Sequence, residues 1–174
     1  GGSIRVFIRK LLSSNPKISK SVNEMLMLEQ KLALNKSNTY KEFNSKIQTI
    51  KEKLMALLHS LKKQNKQIVG YGAPAKATVL TNYCSIDTKI IDYIVDKNPL
   101  KQGKYIPGAR IPIVSEEKFH QGCPEYALVF AWNFFSEIFE KESDFRMKGG
   151  KFIVPLPEPK IIERAKDIEI KFIY

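Results

Sequence analysis

The order of apolar and polar positions divides this chain into two kinds of pattern. From Ser3 to Lys10, Ile4, Val6 and Ile8 alternate with Arg5, Phe7 and Arg9, the period of two that predicts a strand. Asn15-Pro16 then offers a helix cap followed by a first-turn proline. Beyond it Ile18, Val22, Met25 and Leu32 share one helical face that Glu29 interrupts. The pattern fades over Asn35 to Asn38, which reads as a turn. Thr39-x-x-Glu42 is a capping box. It leads into one apolar stripe at three- and four-residue spacing: Tyr40, Phe43, Ile47, Ile50, Leu54, Leu57 and Leu61. Two helices are predicted, over about 16–34 and 40–64, pairing as a hairpin or docking onto the α/β part of the chain.

After Lys66 the pattern changes to short apolar runs separated by glycine, proline and acidic turns. Ile68-Val69, Lys89 to Val95 (KIIDYIV), Tyr126 to Trp132 (YALVFAW) and Lys151 to Val154 read as strands. The fully apolar run at 126–132 predicts a central, parallel strand. Helices are predicted over 74–84, from Ser115 onward and over Asn133 to Phe145, closed by Gly149-Gly150. Pro155, Pro157 and Pro159 predict an extended exit, and the tail IEIKFIY alternates as a strand does. Lys97 to Ser115 is rich in Pro and Gly and too long for an ordinary connection, which points to a functional loop. Strands alternating with helices give an α/β class: a Rossmann-like, doubly wound, mostly parallel sheet, preceded by an N-terminal strand and a two-helix basic segment. The expected division is 1–66 for strand and helical pair, and 67–174 for the Rossmann-like domain.

Charge sharpens that division. The net charge of +11 is uneven: residues 1–66 hold fourteen Lys and Arg against four Asp and Glu, and the remainder is nearly balanced. A basic half can mark nucleic acid or an acidic partner. Here the lysines are spread through the helical pattern without interleaved aromatics, which argues against nucleic acid. Composition is that of a soluble globular protein, with 43% apolar residues and no run near the ~20 needed to span a membrane. Cys84 and Cys123 are expected to be reduced thiols in a cytoplasmic protein. Two histidines and no Cys/His cluster predict no metal site.

The candidate chemistry lies at KQIVGYGAPAK, Lys66 to Lys76. A strand running into Gly70 and Gly72 and then into a proline-opened helix is the entry of a nucleotide-binding α/β unit. Gly70-x-Gly72-x-x-Ala75 is close to the dinucleotide fingerprint, and Asp96 lies 24 residues after Gly72, where a ribose-binding acid belongs. One reading is therefore an NAD(P)-binding domain of an oxidoreductase. Another is an anion site at a helix N-terminus, with Lys76 adding a charge. A turn with no ligand, or a non-catalytic binding module, fits the same residues. Ligands are expected at the strand ends Gly70-Tyr71-Gly72, Asp96 and Trp132-Asn133.

Several blocks in order say more than one turn does. GYGAPAK, DYIVDKNPLKQGKYIPGARIPI, FAWN and GGKFIVPLPEP resemble the carboxy-terminal domain of S-adenosylmethionine-dependent sugar C-methyltransferases. The opening GGSIRVFIRK resembles the segment leading out of that family's methyltransferase domain. The resemblance implies a parent enzyme that methylates carbon on a nucleotide-linked deoxysugar. It implies a zinc-binding segment, a domain for S-adenosylmethionine and a general-base histidine in parts of the parent that this chain does not include. It thus implies a fragment without catalytic residues or affinity for S-adenosylmethionine, which meets its own catalytic domain and helps to hold the nucleotide-sugar. The residues it implies for the substrate are the backbone of Gly72 and Ala73 with Lys76, then Lys101 or Arg110. Gly70, Tyr71, Asp96 and Asn133 border the same crevice.

Overall fold

The computed structural model describes residues 4–8, 10 and 18–167. The chain divides into two compact units between Gln48 and Thr49.

The first unit holds α1 (Lys20–Lys31) and the start of α2 (Ser37–Lys63). Ser19 caps α1, its Oγ accepting the Ser21 amide, while the expected cap at Asn15-Pro16 lies outside the described residues. The capping box at Thr39 does not form. The helix starts earlier, at Ser37, so Thr39 instead donates to the Ala33 carbonyl at 2.8 Å and Glu42 accepts from the Asn38 amide group. Of the strand predicted over 3–10, the described residues 4–8 and 10 are exposed and without regular structure. Alternation alone cannot supply the partner strand whose hydrogen bonds define a sheet.

The second unit is a six-stranded sheet between two helical layers, consistent with a Rossmann-like fold. Its strands are β1 (Ile68–Tyr71), β2 (Ile94–Val95), β3 (Ile113–Val114), β4 (Tyr126–Val129), β5 (Lys151–Val154) and β6 (Lys160–Ile162). Their order is β3-β2-β1-β4-β5-β6; all pair parallel except β6, which runs antiparallel to β5. Alternate residues feed opposite faces. Ile68, Ile94, Leu128 and Ile153 join one core with Leu54, Leu58 and Leu61 of α2 and Ala77 of α3 (Ala75–Cys84). Val69, Val95, Val129 and Phe152 join the other, with α4 (Glu116–Gly122), α5 (Phe135–Lys141) and α6 (Ser143–Met147). Fully burying a leucine or phenylalanine stabilises by roughly 1.5–3 kcal/mol, so these layers hold the unit together. Within the predicted stripe of α2, Leu58 replaces Leu57 as the fully buried residue, a rotation that Leu54 and Leu61 allow because 54, 58 and 61 also share a face.

Four further expectations change. The second strand is only Ile94–Val95, because Asp87 turns the preceding residues by accepting the amides of Ile90 and Ile91. The helix over 133–145 is broken into a 3-10 turn at Trp132–Phe134, then α5 and α6 separated by Glu142. The proline-rich stretch does not run on; the chain reverses into β6, which closes the sheet edge. The long stretch 97–114 is folded: Ile106 and Ile111 are buried in the core and hydrogen-bonded to each other, with a bridge between Tyr105 and Pro112. The alternating tail lies outside the described residues.

Candidate functional site

The order of the strands reverses direction between β1 and β4, and a crevice opens beyond their carboxyl ends. The glycines shape its floor. A Cβ on Gly70 would lie 2.5 Å from Ile94 Cγ1 and 2.7 Å from Phe130 Cε2, so strand packing alone requires glycine there. Gly72 takes φ +82°, which turns the chain from β1 into α3 through Pro74, the residue preceding its first turn. The cavity is about 460 Å³. One wall is apolar, with Pro74, Ala131, Phe134 and Ile138; the other is charged, with Asp96, Lys97, Lys101, Glu116 and Lys141. Phe134 is 59% exposed on the lip.

The Gly72 and Ala73 amides are already engaged inside the protein. The Gly72 amide donates to the Val95 carbonyl at 2.7 Å, and the Ala73 amide to Asp96 Oδ2 at 2.7 Å. Asp96 also accepts the Asn98 amide on Oδ1 at 2.9 Å and Lys101 Nζ on Oδ2 at 3.1 Å. Lys101 reaches back to the Ala73 carbonyl at 2.9 Å. Burial by itself would push the Asp96 carboxyl up. The Asn98 and Ala73 amides and the Lys101 ammonium outweigh it and hold the carboxyl below its ordinary value. A carboxylate has about four lone-pair sites. Three are used here, leaving one where a vicinal ribose diol needs two. Asp96 therefore does not fit the ribose-binding role, for a dinucleotide or for the adenosine of S-adenosylmethionine; it locks the start of the 97–114 segment to the glycine turn.

Of the residues expected at the site, Tyr71, Gly72, Asp96 and Lys101 line the cavity. Gly70 is buried beneath it. Lys76 stands beside the turn, donating to Asn133 Oδ1 at 2.9 Å with its ammonium 4.3 Å from the centre of the Trp132 ring; burial lowers its pKa. Arg110 is exposed in the turn at Pro107–Arg110, with φ +54°. That turn is tied to the far end of α3, where Asn82 donates to the Pro107 carbonyl, and Arg110 does not line the cavity.

Residues 1–157 match the family described as the C-methyltransferase C-terminal domain. The chain belongs to that family. It is also 37% identical over 162 residues to the C-methyltransferase NovU of Streptomyces niveus, a match covering 93% of this chain and 38% of that protein. The chain thus spans about two fifths of the length of its curated relative.

In this C-methyltransferase C-terminal domain, several charged groups at the crevice and behind its wall were not evident from the sequence. Lys141 bridges to Glu116 at 2.5 Å. Tyr71 donates its hydroxyl to Glu142 Oε1 at 2.6 Å, and burial first, then that carboxylate, pushes the phenol pKa well up. Glu142 Oε2 lies 2.8 Å from His120 Nε2. Helical periodicity gave no signal for Glu142, because a buried carboxylate at a helix break reads as a surface acid. Among the described residues no group of His, Cys, Asp or Glu could hold a metal ion, and no helix is long and apolar enough to cross a membrane.

Proposed function

We propose that this domain holds the nucleotide-linked deoxysugar of a parent C-methyltransferase, in the crevice beyond β1, β2 and β4. S-adenosylmethionine, bound elsewhere in the parent, would supply the methyl group. The domain's own work is binding and orientation, which can account for much of an enzyme's advantage when one reactant must meet another in a fixed geometry. The observation that carries this reading is the cavity at the switch point of the sheet, in a chain of this family. Lys97, exposed on its charged wall, is the cation proposed to meet the diphosphate, with Lys101 behind it. Phe134 offers a face for a planar base. Gly70, Ala73, Lys76 and Asn133 are supports of the turn in this reading, and Arg110 stands outside it.

A titration of the chain with UDP, followed by amide NMR shifts, tests the proposal. A single lysine contact and a shallow crevice support dissociation constants of about 1 mM. Shifts should concentrate at Gly72, Asn98 and Ala131. Lys97→Ala should weaken binding about fivefold, equivalent to ~1 kcal/mol, without changing the fold. Shifts confined to the helices before Gln48, or a Lys97→Ala variant that binds as well as the original, would sink it. NADH should show no saturable binding, since Asp96 has no pair of free lone pairs to offer.

A further inference from the structure

Glu142 is a carboxylate hydrogen-bonded to Tyr71 of β1. It is 2% exposed and sits between α5 and α6 with φ −93° and ψ 43°. A carboxylate removed from water is costly unless its oxygens are hydrogen-bonded. Here Oε1 accepts the Tyr71 hydroxyl at 2.6 Å with Lys141 Nζ 3.7 Å away, and Oε2 meets His120 at 2.8 Å. Tyr71 and Lys141 line the crevice. His120, half exposed, opens onto a second cavity of about 250 Å³. The carboxylate therefore ties one wall of the crevice to the protein from inside.

A phenol has one proton to donate and two lone pairs. Glu116, the other carboxylate facing the phenol, lines the crevice and is paired to Lys141 at 2.5 Å; with the phenol proton on Glu142, the Tyr71 oxygen can meet a ligand only as an acceptor. A phosphate oxygen, itself an acceptor, finds no partner there, whereas a hydroxyl or N–H group does. We propose that Glu142 is a positioning residue, which by holding the Tyr71 proton makes Tyr71 a specificity-determining acceptor for a hydroxyl or N–H donor of the ligand. This rests on the crevice being the nucleotide-sugar site.

Two probes separate donor from acceptor contacts: UDP-glucose, which adds several hydroxyl donors and one uracil N–H to a diphosphate, and pyrophosphate, which offers mainly acceptors. Binding is read from the Gly72 and Asn98 amide shifts. Tyr71→Phe should raise the Kd for UDP-glucose about threefold or more and leave that for pyrophosphate unchanged. Glu142→Ala, which frees the proton and lets the phenol donate, should strengthen pyrophosphate, and Glu142→Gln, whose carbonyl oxygen can still accept, should behave as the original with both probes. Without any ligand, the Tyr71 hydroxyl should give a slowly exchanging proton resonance that survives in Glu142→Gln. If Glu142→Ala does not fold, Tyr71→Phe and Glu142→Gln decide. A Tyr71→Phe variant that weakens pyrophosphate, or leaves UDP-glucose untouched, overturns the proposal. If neither probe binds, the crevice reading and the ligand half of this inference fall together. The hydroxyl resonance then still decides whether Glu142 holds the proton, and its absence from the original protein would refute that half too.

Discussion

Helix α1 and the second half of α2 carry similar amphipathic patterns and meet different ends. In α1 no residue is buried, and Val22, Met25 and Leu28 keep 46%, 42% and 48% of their surface. Along α2, Tyr40 and Phe43 are likewise exposed at 56% and 60%, while Leu54 and Leu58 are 0% exposed against the sheet. A stripe states what a helix is able to bury, and the presence of a facing layer decides whether it does. Apolar residues left in water contribute little to stability, and those in the core contribute most of it.

The contrast can be broken most forcefully at Leu58. Leu58→Ala leaves a cavity in a close-packed layer and should cost about 2–5 kcal/mol, read from urea denaturation. A loss below ~1 kcal/mol would mean that this part of α2 is no more integral than α1. Next in size is Gly70→Ala, whose methyl would meet Ile94 and Phe130 inside normal contact distance. Overpacking of this kind costs about 1–3 kcal/mol and should appear as a lower thermal midpoint. Unchanged stability would show that the sheet yields there.

Asp96 sharpens the comparison through pH. Its folded pKa lies below the ordinary 3.8, so the charged form is favoured by folding. That stabilisation is present above pH ~4 and is lost as pH falls through the depressed value. Asp96→Asn should flatten the acid limb of the stability curve, and an unchanged limb would assign acid sensitivity to other carboxylates. The smallest effect belongs to Met25→Ala, expected within about 0.5 kcal/mol of the original in the same urea measurement. A loss near that of Leu58→Ala would abolish the distinction between the two helices.

Much of the α/β unit could be read from the chain. β1 and β5 are apolar runs next to glycine, β4 is an apolar run that follows Pro124-Glu125, and α3 and α4 follow from their punctuation at Pro74 and Ser115. What escaped did so for physical reasons. β6 was hidden because three prolines read as an exit, while the reversal depends on pairing with β5. The break after Lys141 was hidden because a buried glutamate is indistinguishable in sequence from a solvated one. Tyr71, Gly72, Asp96 and Lys101 could be placed near the crevice because they sit at strand ends or just after them. Glu142 is 71 positions from Tyr71, and the packing of α5 and α6 on the sheet, not local spacing, brings them together. In the sequence Arg110 reads as a loop cation, yet the hairpin that carries it is pinned at the opposite end of α3.

The two edges of the sheet bear on how the protein behaves in concentrated solution. Edge strands are where one molecule can add its backbone to another and begin an aggregate. Here β3 has two residues and β6 three, the segment bridged between Tyr105 and Pro112 leads directly into β3, and β6 carries an exposed lysine, Lys160, at its start. Among the described residues neither edge offers a template long enough to recruit another strand. Self-association at high concentration should therefore begin at the uncovered methionines and leucines of α1, and detergent or a polar substitution at Met25 should suppress it where blocking the sheet edges would not.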